Sequence, residues 1–88
     1  GTIVNEIGRV ISAEEGVLSV NELLTMHMGP QDVLLNLSID FTDDLTSDEV
    51  EVIISKLERQ IKENFSEVKR VFIEAQSRAG HNYDRGPS

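Results

Sequence analysis

The stretch Val33-Leu34-Leu35-Asn36-Leu37-Ser38-Ile39-Asp40-Phe41 constrains this chain more than any other. Successive side chains of an extended strand point to opposite faces, so alternation marks a strand with one buried and one open side. Val33, Leu35, Leu37, Ile39 and Phe41 fall on one side; Leu34, Asn36, Ser38 and Asp40 fall on the other. A helix would scatter the same residues around its circumference. A sheet built on such a strand needs a cover for its apolar face, and the flanking sequence supplies one.

Val17 to Met28 mixes β-branched and apolar residues with polar ones, and Gly29-Pro30-Gln31-Asp32 is a turn by composition. Together with the alternating strand this reads as an antiparallel hairpin. Downstream, Thr46 with Glu49 three residues on is a capping box, and Leu45 and Val50 form a hydrophobic staple across it. Ser47-Asp48-Glu49 puts acid in the first turn, where the helix dipole favours it. Val50, Ile53, Ile54, Leu57 and Ile61 make the apolar stripe, and Glu58 and Lys62 pair at i,i+4. This helix frays near Asn64-Phe65. Upstream, Ile3, Val4, Ile7, Val10 and Ile11 mark another helix, predicted to stop at Gly16 as its C′ residue. Val68 to Gln76 is a closing strand, with Val71, Ile73 and Ala75 on one face and Phe72, Glu74 and Gln76 on the other. Residues 1–76 form one domain. Residues 77–88, rich in Gly, Ser, Arg and Asn, read as a flexible C-terminal tail.

The order α-β-β-α-β predicts an α+β fold. It is a ferredoxin-like open-faced sandwich lacking its first strand, with two helices on one face of a three-stranded sheet. The second face is then uncovered. Alternation counted along the first strand puts Asn21, Leu23, Thr25 and His27 on it, beside Leu34, Asn36, Ser38, Phe72, Glu74 and Gln76. We read this half-apolar face as a subunit interface centred on Leu23, Leu34 and Phe72, the alternative being an ordinary solvated face with scattered apolar residues.

Charge and composition exclude several functions. Lys and Arg number 8 against 16 Asp and Glu, a net charge of −8. Nothing here supplies the counterion release that drives nucleic-acid binding, nor attraction to an anionic membrane surface. With Phe72 the one aromatic on the open face, base stacking is also excluded. There is no cysteine, hence no disulfide and no thiolate ligand. No apolar run approaches the ~18 residues of a membrane-spanning helix. No nucleophile elbow, phosphate-cradling glycine loop, HExxH or EF-hand pattern occurs, and the two histidines, His27 and His81, offer no acid–base relay. The i,i+3 pair His81 and Asp84 in the tail is a weak metal signal. The expectation is a non-enzymatic module. With no initiator Met and a helical pattern beginning at once, the chain reads as a piece of something larger.

Four segments carry a resemblance: Gly16-Val17-Leu18-Ser19-Val20-Asn21-Glu22-Leu23, Gly29-Pro30, Leu37-Ser38-Ile39-Asp40 and Val71-Phe72-Ile73-Glu74. In order and spacing they resemble the cytosolic C-terminal domain of cation diffusion facilitator (cation efflux) transporters, over roughly residues 3 to 76. The resemblance implies an α-β-β-α-β regulatory domain that forms a homodimer. It would hang on the cytoplasmic face of the cell's inner membrane, joined to a transmembrane domain of the same polypeptide that moves zinc, manganese or iron. Many family members bind cations in this domain and so tighten the dimer. Their histidines stand where this chain has Asn21, Ser38, Glu51 and Glu74, and an aspartate stands at the position of Gln76. No imidazole remains at these positions. The expectation is therefore a degenerate metal site, no required cofactor, and at most a weakly held divalent cation. His27 is a possible extra ligand, but it lies six residues from Asn21, about 20 Å along the strand. The alternative reading is a free-standing metal carrier or small-ligand-binding protein of the same fold.

Overall fold

The strand at 32–41 is the middle of the sheet. The computed structural model describes residues 2–76, in five elements: α1 (Thr2–Ser12), β1 (Val17–Gly29), β2 (Asp32–Phe41), α2 (Ser47–Asn64) and β3 (Val68–Gln76). The strand order is β1-β2-β3, with β1 antiparallel and β3 parallel to β2. A parallel neighbour demands a crossover connection, and α2 provides it. Both helices pack on one face, giving the α+β ferredoxin-like sandwich anticipated from the residue pattern. Val33, Leu35, Leu37, Ile39 and Phe41 are all buried, together with Ile7 and Ile11 from α1, Leu57 and Ile61 from α2, and Val68 and Val71 from β3. Burial of each such side chain contributes about 1.5–3 kcal/mol toward the fold.

Both helix ends follow from local chemistry. At the start of α2 the Glu49 N–H donates to Thr46 Oγ1 at 3.1 Å and the Thr46 N–H donates to Glu49 Oε1 at 2.8 Å. The helix thus begins on a reciprocal capping box. At the end of α1 the expectation fails in detail. The helix stops at Ser12, and the chain tightens so that the Glu14 N–H donates to the Ile11 carbonyl. Gly16 is not the C′ residue. It is the third residue of a separate turn, in which the Val17 N–H donates to the Glu14 carbonyl at 3.2 Å. Its φ of 96° is the left-handed value such a turn needs there.

β1 also departs from regular alternation. Its pairing with β2 slips between Val17 and Ser19, between Val20 and Glu22, and between His27 and Gly29. Leu18, Asn21 and Met28 are therefore extra residues, each a β-bulge with no partner of its own. Residues directly opposite in an antiparallel pair share a face. Leu23, Thr25 and His27 stand opposite Leu37, Leu35 and Val33, so they lie on the helix side. Leu23 is half-buried against the core there. The placement of Leu23, Thr25 and His27 on the open face is thus corrected. Asn21 occupies a bulge and cannot set the parity of the residues after it. The residues that β1 sends to the open face are Ser19, Glu22, Leu24 and Met26, opposite Asp40, Ser38, Asn36 and Leu34.

Candidate functional site: the open face of the sheet

Register fixes this face as rows running across the three strands. Met26, Leu34 and Arg70 form one row, and Leu24, Asn36 and Phe72 the next. Then come Glu22, Ser38 and Glu74, and finally Ser19, Asp40 and Gln76. The hairpin half of the face is largely apolar. Leu24, Met26 and Phe72 are 52%, 56% and 57% exposed, values that mark them as uncovered, and Leu34 lies half-buried among them. The opposite half is polar and acidic.

Within the polar half, Ser38 is the exception. It is only 6% exposed although it belongs to the uncovered face, because its row neighbours Glu22 and Glu74 flank it. Its Oγ has no hydrogen-bond partner among the described residues. The Ser19 hydroxyl lies 3.2 Å from Asn21 Oδ1 and 3.5 Å from Asp40 Oδ2, offering one proton to two acceptors. That contact holds the Asn21 carboxamide at the polar end of the face despite its bulge.

Of the positions singled out from the sequence, Asn21, Ser38, Glu74 and Gln76 are brought to one end of the open face. Glu51 is not. It is exposed on α2, which packs on the other side of the sheet, so the sheet separates it from the rest. His27 is also elsewhere, on the helix side near the hairpin turn. Asp40 lies on the side where the alternation of β2 puts it. Glu22, Leu24 and Met26 are the residues sequence reasoning missed, because they needed the bulge at Asn21, which only the partner strand reveals.

This donor set does not suit the thiolate- and imidazole-seeking metals. It offers the carboxylates of Glu22, Asp40 and Glu74, which do not converge on one point, with hydroxyls and amides, whereas zinc takes three or four nitrogen, sulfur or carboxylate ligands in a tetrahedron. Among the described residues no three His, Asp or Glu side chains lie close enough to hold one ion. Oxygen donors of this kind suit a hard cation, and only weakly when so few are charged.

The family of domains described as "Cation efflux protein, cytoplasmic domain" matches residues 1–76. The chain belongs to this family. Its fold recurs in solved structures of the MamM CTD. A nickel form of one variant superposes with a TM-score of 0.79 at 19% identity, covering 88% of this chain and 96% of that one. A cadmium form of another variant gives 0.79 at 18% identity, over 88% and 95%. A third variant gives 0.80 at 19% identity, over 88% and 95%. No curated protein matches this chain by sequence. At such low identity the structural likeness speaks for the fold alone, and membership in the cation efflux cytoplasmic domains rests on the family match.

Proposed function

We propose that this domain forms a two-fold homodimer through the open face of its sheet. There it serves as the regulatory cytoplasmic part of a divalent-cation efflux transporter at the membrane. The observation that carries the reading is the apolar band Leu24, Met26, Leu34 and Phe72, which no element among the described residues covers. A face that lies against its own copy doubles every apolar contact, and each Å² removed from water contributes about 25 cal/mol. Leu23, the half-buried residue first assigned to the interface, is replaced in that role by Leu24. In the transporter the two domains would be tethered to transmembrane helices of their own polypeptides. The tether raises their effective concentration, so even a modest interface suffices. Movement of one domain against the other would pass cytosolic conditions to the membrane part, and the cation it carries is cargo. Zinc, manganese and iron are the cargoes the resemblance implies.

Light scattering on the isolated chain across a concentration series tests the interface. A dimer is expected at high micromolar concentration, and Phe72→Glu and Leu24→Glu are each expected to give a monomer with unchanged circular dichroism. A monomer at all concentrations, or a dimer indifferent to both substitutions, would remove the open face from the reading.

A further inference from the structure

At the end of the domain away from the hairpin turn, a groove of about 670 Å³ opens between the α1–β1 turn, the β2–α2 loop and the first turns of α2. Its walls are Leu45, Ile53 and Val52, and Val52 is 66% exposed, with none of the described residues over it. Gly16 makes the groove possible. A Cβ at that position would meet Ile53 Cδ1 at 3.0 Å and Leu45 Cδ1 at 3.1 Å. The rim is uniformly acidic. Glu14, Glu15, Asp44, Asp48 and Glu49 line it, and no Lys or Arg among the described residues does.

Two of these carboxylates already have partners. Lys56 Nζ lies 3.1 Å from Glu14 Oε2, and Glu49 caps the Thr46 N–H. Glu15, Asp44 and Asp48 have no ion-pair partner among the described residues. They also do not converge on a point, since no group of three acidic or histidine side chains among the described residues can hold a metal ion. Charge spread along an apolar trough calls for an extended cation with apolar side chains. It repels phosphates and anionic lipid alike.

We propose that this groove is a docking site for a basic peptide segment of a partner protein, one that sets an aliphatic side chain against Val52 and Ile53 and its lysines or arginines against Glu15, Asp44 and Asp48. The site lies on the helix side and at the far end from the apolar band, so it can be filled whether or not the open face is paired.

The test is amide chemical-shift mapping on the full chain, titrated with a capped hexapeptide of alternating lysine and leucine. A peptide of alternating lysine and serine, equal in charge, is the control. Shifts confined to Gly16, Thr42, Asp44 and Ile53 are expected, with the serine peptide weaker by about tenfold, the factor one lost apolar anchor implies. Val52→Asp is the discriminating variant because it adds negative charge while removing the apolar wall. The proposal expects weaker binding; diffuse attraction to an acidic surface expects stronger. The double variant Asp44→Asn, Asp48→Asn should also weaken binding and flatten its salt dependence. Shifts scattered over the surface, or binding kept in Val52→Asp, overturn the proposal. So do groove shifts produced by Arg78→Glu with Arg85→Glu, which would assign the groove to this chain's own residues 77–88. Groove shifts produced by dilution alone would assign it to a second copy, and equally overturn it.

Discussion

Gly16 serves two purposes with one missing atom. Its φ of 96° is a conformation L side chains rarely adopt, and its open α-carbon lets Leu45 and Ile53 approach. Its carbonyl accepts the Thr42 N–H at 2.9 Å, which ties the α1–β1 turn to the end of β2. Gly16→Ala is expected to destabilise the domain by about 1–2 kcal/mol from the backbone alone, read as a lower urea midpoint with unchanged slope. A midpoint equal to the parent's would mean the turn relaxes to a negative φ. Ser38 gives the opposite expectation. Its hydroxyl is buried without a partner among the described residues, so no hydrogen bond seen there is lost when it goes. Ser38→Ala should leave stability within about 0.5 kcal/mol or raise it slightly. A loss above about 1 kcal/mol in urea would show that the hydroxyl has a partner after all.

At the level of elements, the two strands of the hairpin differ in how plainly the sequence declares them. β2 alternates without interruption, so its buried and open faces could be read directly from Val33 to Phe41. The capping box at Thr46 and Glu49 was equally plain, because each needs only residues a turn apart. β1 carries three slips in register, and every slip breaks the relation between position and face. Its sides are set by what lies opposite on β2, which no reading along β1 alone supplies. That is why Leu23 was placed outward when it packs inward, and why Glu22, Leu24 and Met26 went unseen. The same difference predicts the outcome of two deletions. Removing Asn21 takes out an unpaired residue and leaves Val20 opposite Ile39 and Glu22 opposite Ser38. Removing Asn36 turns one half of β2 inside out. The first variant is expected to keep a dispersed amide spectrum, and the second to lose it. Comparable spectra from both would contradict the bulge assignment.

For the whole molecule, the arrangement of layers was legible because two helices with one stripe each have one place to go. The acidic groove was not, since its lining comes from three separate segments and its shape depends on a residue with no side chain. Whether metal governs pairing belongs to this scale too. Nickel and cadmium forms of the MamM CTD exist. This chain has a single carboxylate, Glu74, among the four resemblance-implied positions gathered on its open face. We expect its dimer to be indifferent to chelator, and calorimetric titration with zinc or manganese at physiological ionic strength to show no stoichiometric micromolar site. Such a site, abolished by Glu74→Ala, would make the domain a metal sensor.

The parallel pairing of β3 with β2 has a consequence for how the chain comes into being. The hairpin joins neighbours in sequence and can close as soon as Phe41 is made. The other edge of β2 must wait for a partner whose first paired residue, Val68, is 35 positions beyond Val33. Throughout synthesis of α2 the nascent domain carries a bare row of backbone donors and acceptors beside its most apolar strand, the condition under which chains pair with one another instead of with themselves. Emergence of the nine residues of β3, Val68–Gln76, ends that exposure, so slow translation before them would be felt as lost yield rather than as a less stable product.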